Sequence, residues 1–365
     1  MNEASSLTVA TPLPAGGESY YREELKKAIA FSDQRKQNYD KYLHWKEHGG
    51  DVDFLPVKMD IENVSRCNFK CTMCVVSDWH KGKRAEDMSF EQFKAIIDEQ
   101  YGLVEIKLQG IGESLMQGDP FFEMIRYARS KSIWVRVTTN ASLLHLNDNY
   151  KKLIDSDVNE VQISIDGAEA GTFEKIRRGS VFSRVLSNCS LINDYTRQVG
   201  VERTKMWTVV QSDNINQVDA LVDLASEVGF TNQVFMLDPI GWGIEDWEEH
   251  AQNIEVSAKM SAEKCFSLMD RGKNLGVRVA FWISNDRYSS DSMKTLCQWP
   301  FERAYIGSDG RVSPCCMIGN PDVFEIGDGV SKGFTRIWNS EGYKEFRQRH
   351  IDGRIPTVCR NCYKP

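Results

Sequence analysis

The chain has no apolar run approaching the ~18 consecutive residues that a membrane-crossing helix needs. Its first residues, MNEASSLTVATPLPAGGES, also lack the basic-then-apolar order of a secretion signal. Both absences predict a cytoplasmic protein with no membrane partner. No run of Lys and Arg is long enough to track a phosphate backbone, and the net charge is -7, so no nucleic-acid partner is expected. There is no internal repeat and no low-complexity segment.

What is present is an ordinary globular composition: 365 residues, 41% of them hydrophobic, enough for a sizeable core and two or three domains. The ten cysteines are the unusual feature. In a reducing compartment they argue for metal binding or catalysis rather than disulfides. Cys67, Cys71 and Cys74 form one group, and Cys297, Cys315, Cys316, Cys359 and Cys362 form another near the C-terminus. Two groups imply two sites. Cys189 and Cys265 stand alone and read as buried packing residues.

From residue 56 onward, short β-branched or apolar runs alternate with longer amphipathic ones. Strands are expected at 56–62, 104–109, 133–139, 160–165, 204–210, 232–237 and 277–282. Ser89 and Gln92 form a capping box before one helix, and Asp119-Pro120 reads as an N-cap followed by proline at the first helical position. Repeated β-α units imply parallel strands joined by right-handed crossovers. A closed or partly closed α/β barrel fits this pattern, with a doubly wound open sheet as the competing architecture. In either, chemistry collects where strands end. Residues 20–48 read as one helical extension closed by Gly49-Gly50, a packing or interaction arm.

The segment SRCNFKCTMC places Cys67, Cys71 and Cys74 in the loop after the first strand. Three thiolates suit an iron-sulfur cubane with one iron left open to a small molecule. They would also begin a zinc site if a fourth ligand such as His80 joined them. With this C-x3-C-x2-C spacing after the first strand of an α/β barrel, the chain resembles the radical S-adenosylmethionine (SAM) family. That resemblance implies a partial (β/α)6 TIM-type barrel and a 4Fe-4S cluster with an open iron site. The amino and carboxylate groups of SAM would chelate that iron. Reductive cleavage would then give methionine and a 5'-deoxyadenosyl radical that abstracts a substrate hydrogen.

The same resemblance assigns the remaining loops in strand order. Met73 would lie against the adenine, unless it fills a gap in the core. Gly112 and Glu113, in QGIGESLM, resemble the family's Gly-Gly-Glu element with Ile111 in place of the first glycine. Asn140 matches a Thr-Asn element, and Ser164 and Asp166, in SIDG, match positions near SAM or substrate. Arg177 and Arg178 could meet a carboxylate or form a solvated helix face. Gln211 and Asn214 resemble a ribose-proximal element, and Asp238 points where substrate should be. A turn residue is the plainer reading of Gly112, Asn140 and Asp238.

Around the second group, SDG signals a turn between two strand-like runs, so a hairpin would bring Cys297 and Cys315 together, and the C-x2-C of Cys359 and Cys362 completes four thiols. This resembles the twitch form of the SPASM extension, which implies one auxiliary 4Fe-4S cluster. Four thiols suit structural zinc as well. Cys316 either replaces Cys315 as ligand, packs, or is a free thiol beside the active site. Three segments are therefore expected: an N-terminal helical extension at 1–55, a radical SAM partial barrel at 56–284, and a cysteine-rich twitch/SPASM-like domain at 285–365.

The function implied is dehydrogenation or epimerisation of a small hydroxylated substrate such as a sugar or cyclitol, with Asp238 and Cys316 as catalytic candidates. The helical extension is too short for a peptide-recognition module, so peptide maturation stands as the alternative. A non-catalytic iron-sulfur or zinc protein is the alternative of another class. A flavodoxin or ferredoxin is the implied electron donor.

Overall fold

The structure is a computed structural model and describes residues 12–78 and 87–364; His80 lies outside them. Seven parallel strands follow one another across a single sheet: β1 (Lys58–Ile61), β2 (Glu105–Leu108), β3 (Trp134–Thr139), β4 (Glu160–Ser164), β5 (Thr204–Val209), β6 (Asn232–Met236) and β7 (Arg278–Trp282). All seven expected strand segments are present, each within the range read from the sequence. The sheet curves as a partial barrel with β7 at its open edge.

Alternation explains the two faces. Met59, Ile61, Ile106, Leu108, Val135, Val137, Val161 and Ile163 face the helices and form the main core, while Asp60, Lys107, Arg136 and Gln162 fall on the opposite, interior face.

The C-terminal segment does not stand apart from this sheet. Its strand β8 (Arg303–Ile306) pairs in parallel with β1, on the side away from β2. β9 (Arg311–Ser313) and β10 (Gly327–Asp328) extend it antiparallel. The boundary drawn at 284/285 therefore divides the chain but not the sheet. The turn at 307–310 closes through Gly310, at φ +81°, as the SDG signal implied. Among the described residues, no helix is long and apolar enough to cross a membrane.

The expected single helix over 20–48 is two helices, α1 (Gly17–Ile29) and α2 (Asp33–His48). Ser32 breaks it: its backbone is extended, and its hydroxyl accepts the Arg35 N–H and starts a new helix. On α2 the buried residues Arg35, Asn38, Tyr42 and Trp45 fall on one stripe. Asn38 bonds both backbone groups of Leu55, and Trp45 stacks on Phe301. α1 covers the N-terminal ends of the strands, where Tyr21 donates to Glu105, the Ala15 N–H donates to Glu160, and Arg129 reaches Glu24. The arm thus closes the barrel end opposite the cysteine loop. The capping box at Ser89 and Gln92 forms as expected. At the next helix (Asp119–Ser130), however, the cap is Gly118, and Asp119 is already the first helical residue, paired with Lys152.

Candidate active site at the strand ends

The cysteine loop leaves β1 and is fixed by a two-residue antiparallel pairing in which Cys71 lies opposite Arg177. The Thr72 N–H donates to the Ile176 carbonyl, and Ser77 Oγ to the Cys71 carbonyl. Burial pushes the Cys67 thiol up to about 12 and raises Cys71 and Cys74 as well, so their thiolates need cationic or metal partners. One is supplied by the chain: Arg177 Nη1 stands 3.9 Å from Cys71 Sγ, while Nη2 pairs with Asp166 Oδ2 at 2.6 Å. Asp166 Oδ1 accepts the Val209 N–H. Arg178, by contrast, is exposed and donates to the Lys70 carbonyl.

The strand-end loops meet this one from the side. Gly112 lies so close to the cysteine loop that a Cβ there would sit 2.4 Å from the Val64 carbonyl and 2.6 Å from that of Arg66. Ile111, the departure from the family's first glycine, packs toward Gly319 of the C-terminal segment. Glu113 is buried, and burial raises its pKa. Its carboxylate accepts from Thr139 Oγ1, the Asn140 N–H and the Leu115 N–H. Asn140 in turn donates to Asn68 Oδ1 at 3.0 Å and reaches Cys67 Sγ at 3.9 Å. Glu113 and Asn140 are therefore braces of the cysteine loop.

Asn214 is committed in the same way: its amide donates to the Asp166 and Val209 carbonyls and accepts the Gln211 N–H. These bonds make it a positioning residue for Gln211, within the element expected near the ribose. Gln211 is buried, and neither of its side-chain amide atoms has a partner, the condition a bound ligand would relieve. Ser164 is half-buried at the end of β4. Met73 packs partly against the core, and its carbonyl accepts the Trp242 indole N–H at 3.2 Å.

The second cysteine group resolves into four and one. The hairpin and the turn at 357–362 bring Cys297, Cys315, Cys359 and Cys362 into mutual electrostatic contact. Cys316 turns the other way, with Asp60, Lys107 and Arg303 as its charged neighbours. The chain turns directly after Cys315, where the Ile318 N–H donates to the Cys315 carbonyl, so the two adjacent thiols meet different neighbours although they still act on each other. Asp238 lies beside Cys362. Its Oδ2 accepts from Ser284 N, Ser284 Oγ and Asn285 N, and its buried Oδ1 has no partner. Burial raises the Asp238 pKa. A cavity of about 270 Å³ lies alongside, lined by residues that include Trp242, Glu248, Ser284, Met317 and Cys362. Cys189 and Cys265 are buried.

Among the described residues, no three His, Cys, Asp or Glu side chains stand close enough to share a single metal ion. The all-thiol composition of both sets fits iron-sulfur clusters, and the Gly112 cradle and unsatisfied Gln211 fit a small-molecule cofactor beside the first set. Sequence reasoning missed Asp60, Lys107, Arg303 and Trp242. The first two were findable, because Lys58-Met59-Asp60-Ile61 and Glu105-Ile106-Lys107-Leu108 alternate charged and apolar residues.

The comparisons with known proteins agree with this geometry. The radical SAM superfamily matches residues 64–225, and the iron-sulfur cluster-binding domain SPASM matches 297–363. The mycofactocin maturase MftC of Mycobacterium ulcerans is 32% identical over 329 residues, covering 87% of this chain and 82% of that protein. The AdoMet-dependent heme synthase of Methanosarcina barkeri is 26% identical, with 82% and 89% covered. Streptococcus suis SuiB, solved bound to the precursor peptide SuiA, shares the fold at a TM-score of 0.61 and 16% identity, covering 85% of this chain and 71% of that one.

The chain belongs to the radical SAM superfamily and carries a C-terminal SPASM domain. It is a radical SAM enzyme, and its cofactors are SAM and 4Fe-4S clusters, the auxiliary site included.

Proposed function

We propose that this enzyme is a maturase that oxidatively modifies a peptide. The observation that carries the reading is the 32% identity to a mycofactocin maturase over 87% of the chain. It favours a peptide over the sugar or cyclitol expected from sequence. When bound, SAM and the clusters supply a 5'-deoxyadenosyl radical that takes a substrate hydrogen atom, and an acceptor for the electron left behind.

The chain's own residues prepare that chemistry. Cys67, Cys71 and Cys74 hold the first cluster, and Gly112 lets the backbone approach the methionine end of SAM. Ser164 faces the same space, and Gln211 meets the ribose hydroxyls with its two free amide atoms. Met73 lies against the adenine. Glu113, Asn140 and Asn214 keep the loops in register, and Arg177, anchored by Asp166, offsets the charge of the Cys71 thiolate. Cys297, Cys315, Cys359 and Cys362 hold the auxiliary cluster. Asp238, its Oδ1 unpartnered, takes the proton that leaves the oxidised substrate. The Cys316 thiol faces the substrate from the barrel interior. A flavodoxin or ferredoxin supplies the electron.

The test is anaerobic reconstitution with SAM and a reductant, offering the short peptides encoded next to its gene and, separately, deuterated sugars and cyclitols. A peptide lighter by two hydrogens, formed with 5'-deoxyadenosine, is the expected result. Deuterium passing from a sugar into 5'-deoxyadenosine, with every peptide unchanged, would overturn the reading.

A further inference from the structure

We propose that Lys107 and Asp60 form a subsite in the barrel interior that binds a substrate carboxylate together with an N–H donor beside it. The two residues are register partners on β1 and β2, with Arg136 next in line on β3. Three carboxylates and three cations of this interior are joined by ion pairs. Arg303 pairs with Asp60 at 3.1 Å and Glu105 at 3.2 Å. Arg136 pairs with Glu105 at 3.3 Å and Glu160 at 3.0 Å, and Lys205 with Glu160 at 3.0 Å.

Lys107 is the cation left over. Among the described residues it makes no ion pair and no side-chain hydrogen bond, although it is only partly exposed, and Asp60 is the opposing charge that acts on it. A partly buried ammonium with no hydrogen-bond acceptor is costly, and an anion that enters relieves the cost. Its pKa, lowered by burial to about 8, reflects the same cost. Asp60 supplies the second half of the site. Arg303 occupies its Oδ1, while Oδ2 is buried and has no hydrogen-bond partner, so it is ready to accept from a ligand. Arg303 offsets the charge of Asp60, so a carboxylate that enters meets the Lys107 ammonium without an uncompensated Asp60 opposing it.

Cys316 shares these neighbours, so a substrate held here lies near its thiol. The inference rests on the maturase reading only in taking a peptide as the molecule that carries the carboxylate. A chain end and an acidic side chain present the same chemistry.

The reconstituted holoenzyme tests this with three small probes: N-acetylglycine for a chain end, N-acetylaspartate N-methylamide for a side chain, and N-acetylglycinamide as the uncharged counterpart. Reductive methylation of Lys107, read by mass spectrometry against the exposed Lys344, should be lost in the presence of one of the acids and unaffected by the amide. Which acid protects identifies the source. Ligand-observed saturation-transfer NMR should show that probe binding to wild type and to Lys107→Arg but not to Lys107→Met, with iron content unchanged in both variants. Equal protection by the amide, or protection by neither acid, overturns the proposal. A failure of the peptide reading shows instead in the peptide mass assay, which these probes do not involve.

Discussion

Replacing Arg177 by Met removes a guanidinium that holds Asp166 at 2.6 Å, in a place where the Asp166 side chain is fully buried. Breaking one side of a buried pair leaves an uncompensated charge and costs about 3–5 kcal/mol. Adding Asp166→Asn removes that charge, and the new amide oxygen can still accept the Val209 N–H, as Asp166 Oδ1 does at 2.8 Å. What remains is an amide NH2 without a partner, worth about 1–3 kcal/mol. The double variant is therefore expected to be more stable than Arg177→Met alone, although it carries more changes. Urea titration of the metal-free protein measures all three chains.

Recovery of the fold does not recover the cation beside Cys71, since Nη1 at 3.9 Å from Sγ has gone with the arginine. The double variant should therefore fold well yet retain less iron and cleave SAM more slowly than wild type. If the two substitutions destabilise additively, or if the refolded double variant cleaves SAM at the wild-type rate, the account of this pair is wrong.

Gly112→Ala forces a Cβ onto two backbone carbonyls; it should cost about 1–3 kcal/mol and weaken SAM binding, whereas Gly171→Ala, with nothing within 4 Å, should stabilise its helix by about 0.5–1 kcal/mol. Thermal melts and equilibrium dialysis with SAM check both. Lys107→Met removes a proton site held at about 8 in the fold and near ~10.4 in the unfolded chain. Wild type bears the full cost of that site below pH 8 and loses it as pH rises to ~10.4. The variant should thus exceed wild type by about 1–3 kcal/mol at pH 7, and the gap should close as pH climbs; parallel urea midpoints at pH 7 and 10 would contradict this. Cys315→Ser should lower the iron counted per chain, whereas Cys316→Ser should keep the iron and 5'-deoxyadenosine formation while losing product. Equal iron loss in both would mean that Cys316 is a ligand.

Short β-branched or apolar runs set between longer amphipathic ones marked all seven parallel strands, because such patterning is a local property of the chain. The cysteine spacing marked the loop after β1 for the same reason: those thiols are neighbours in the chain before they are neighbours in space. Among the helix starts, local signals misled where a competing start signal lay inside a helical run, as at Ser32, and where glycine took the cap ahead of Asp119.

What the tertiary structure alone decided depends on partners far apart in sequence. Glu113 and Asn214 also bind to strand ends and loops that only the folded sheet brings near, which no local pattern shows. No local pattern says that β8 adds beside β1, and that pairing is what sends Cys315 toward the other thiols and Cys316 toward Lys107. A sequence lists which groups can donate, accept or carry charge. Which of them remain unsatisfied, and so available to a substrate, is set by packing.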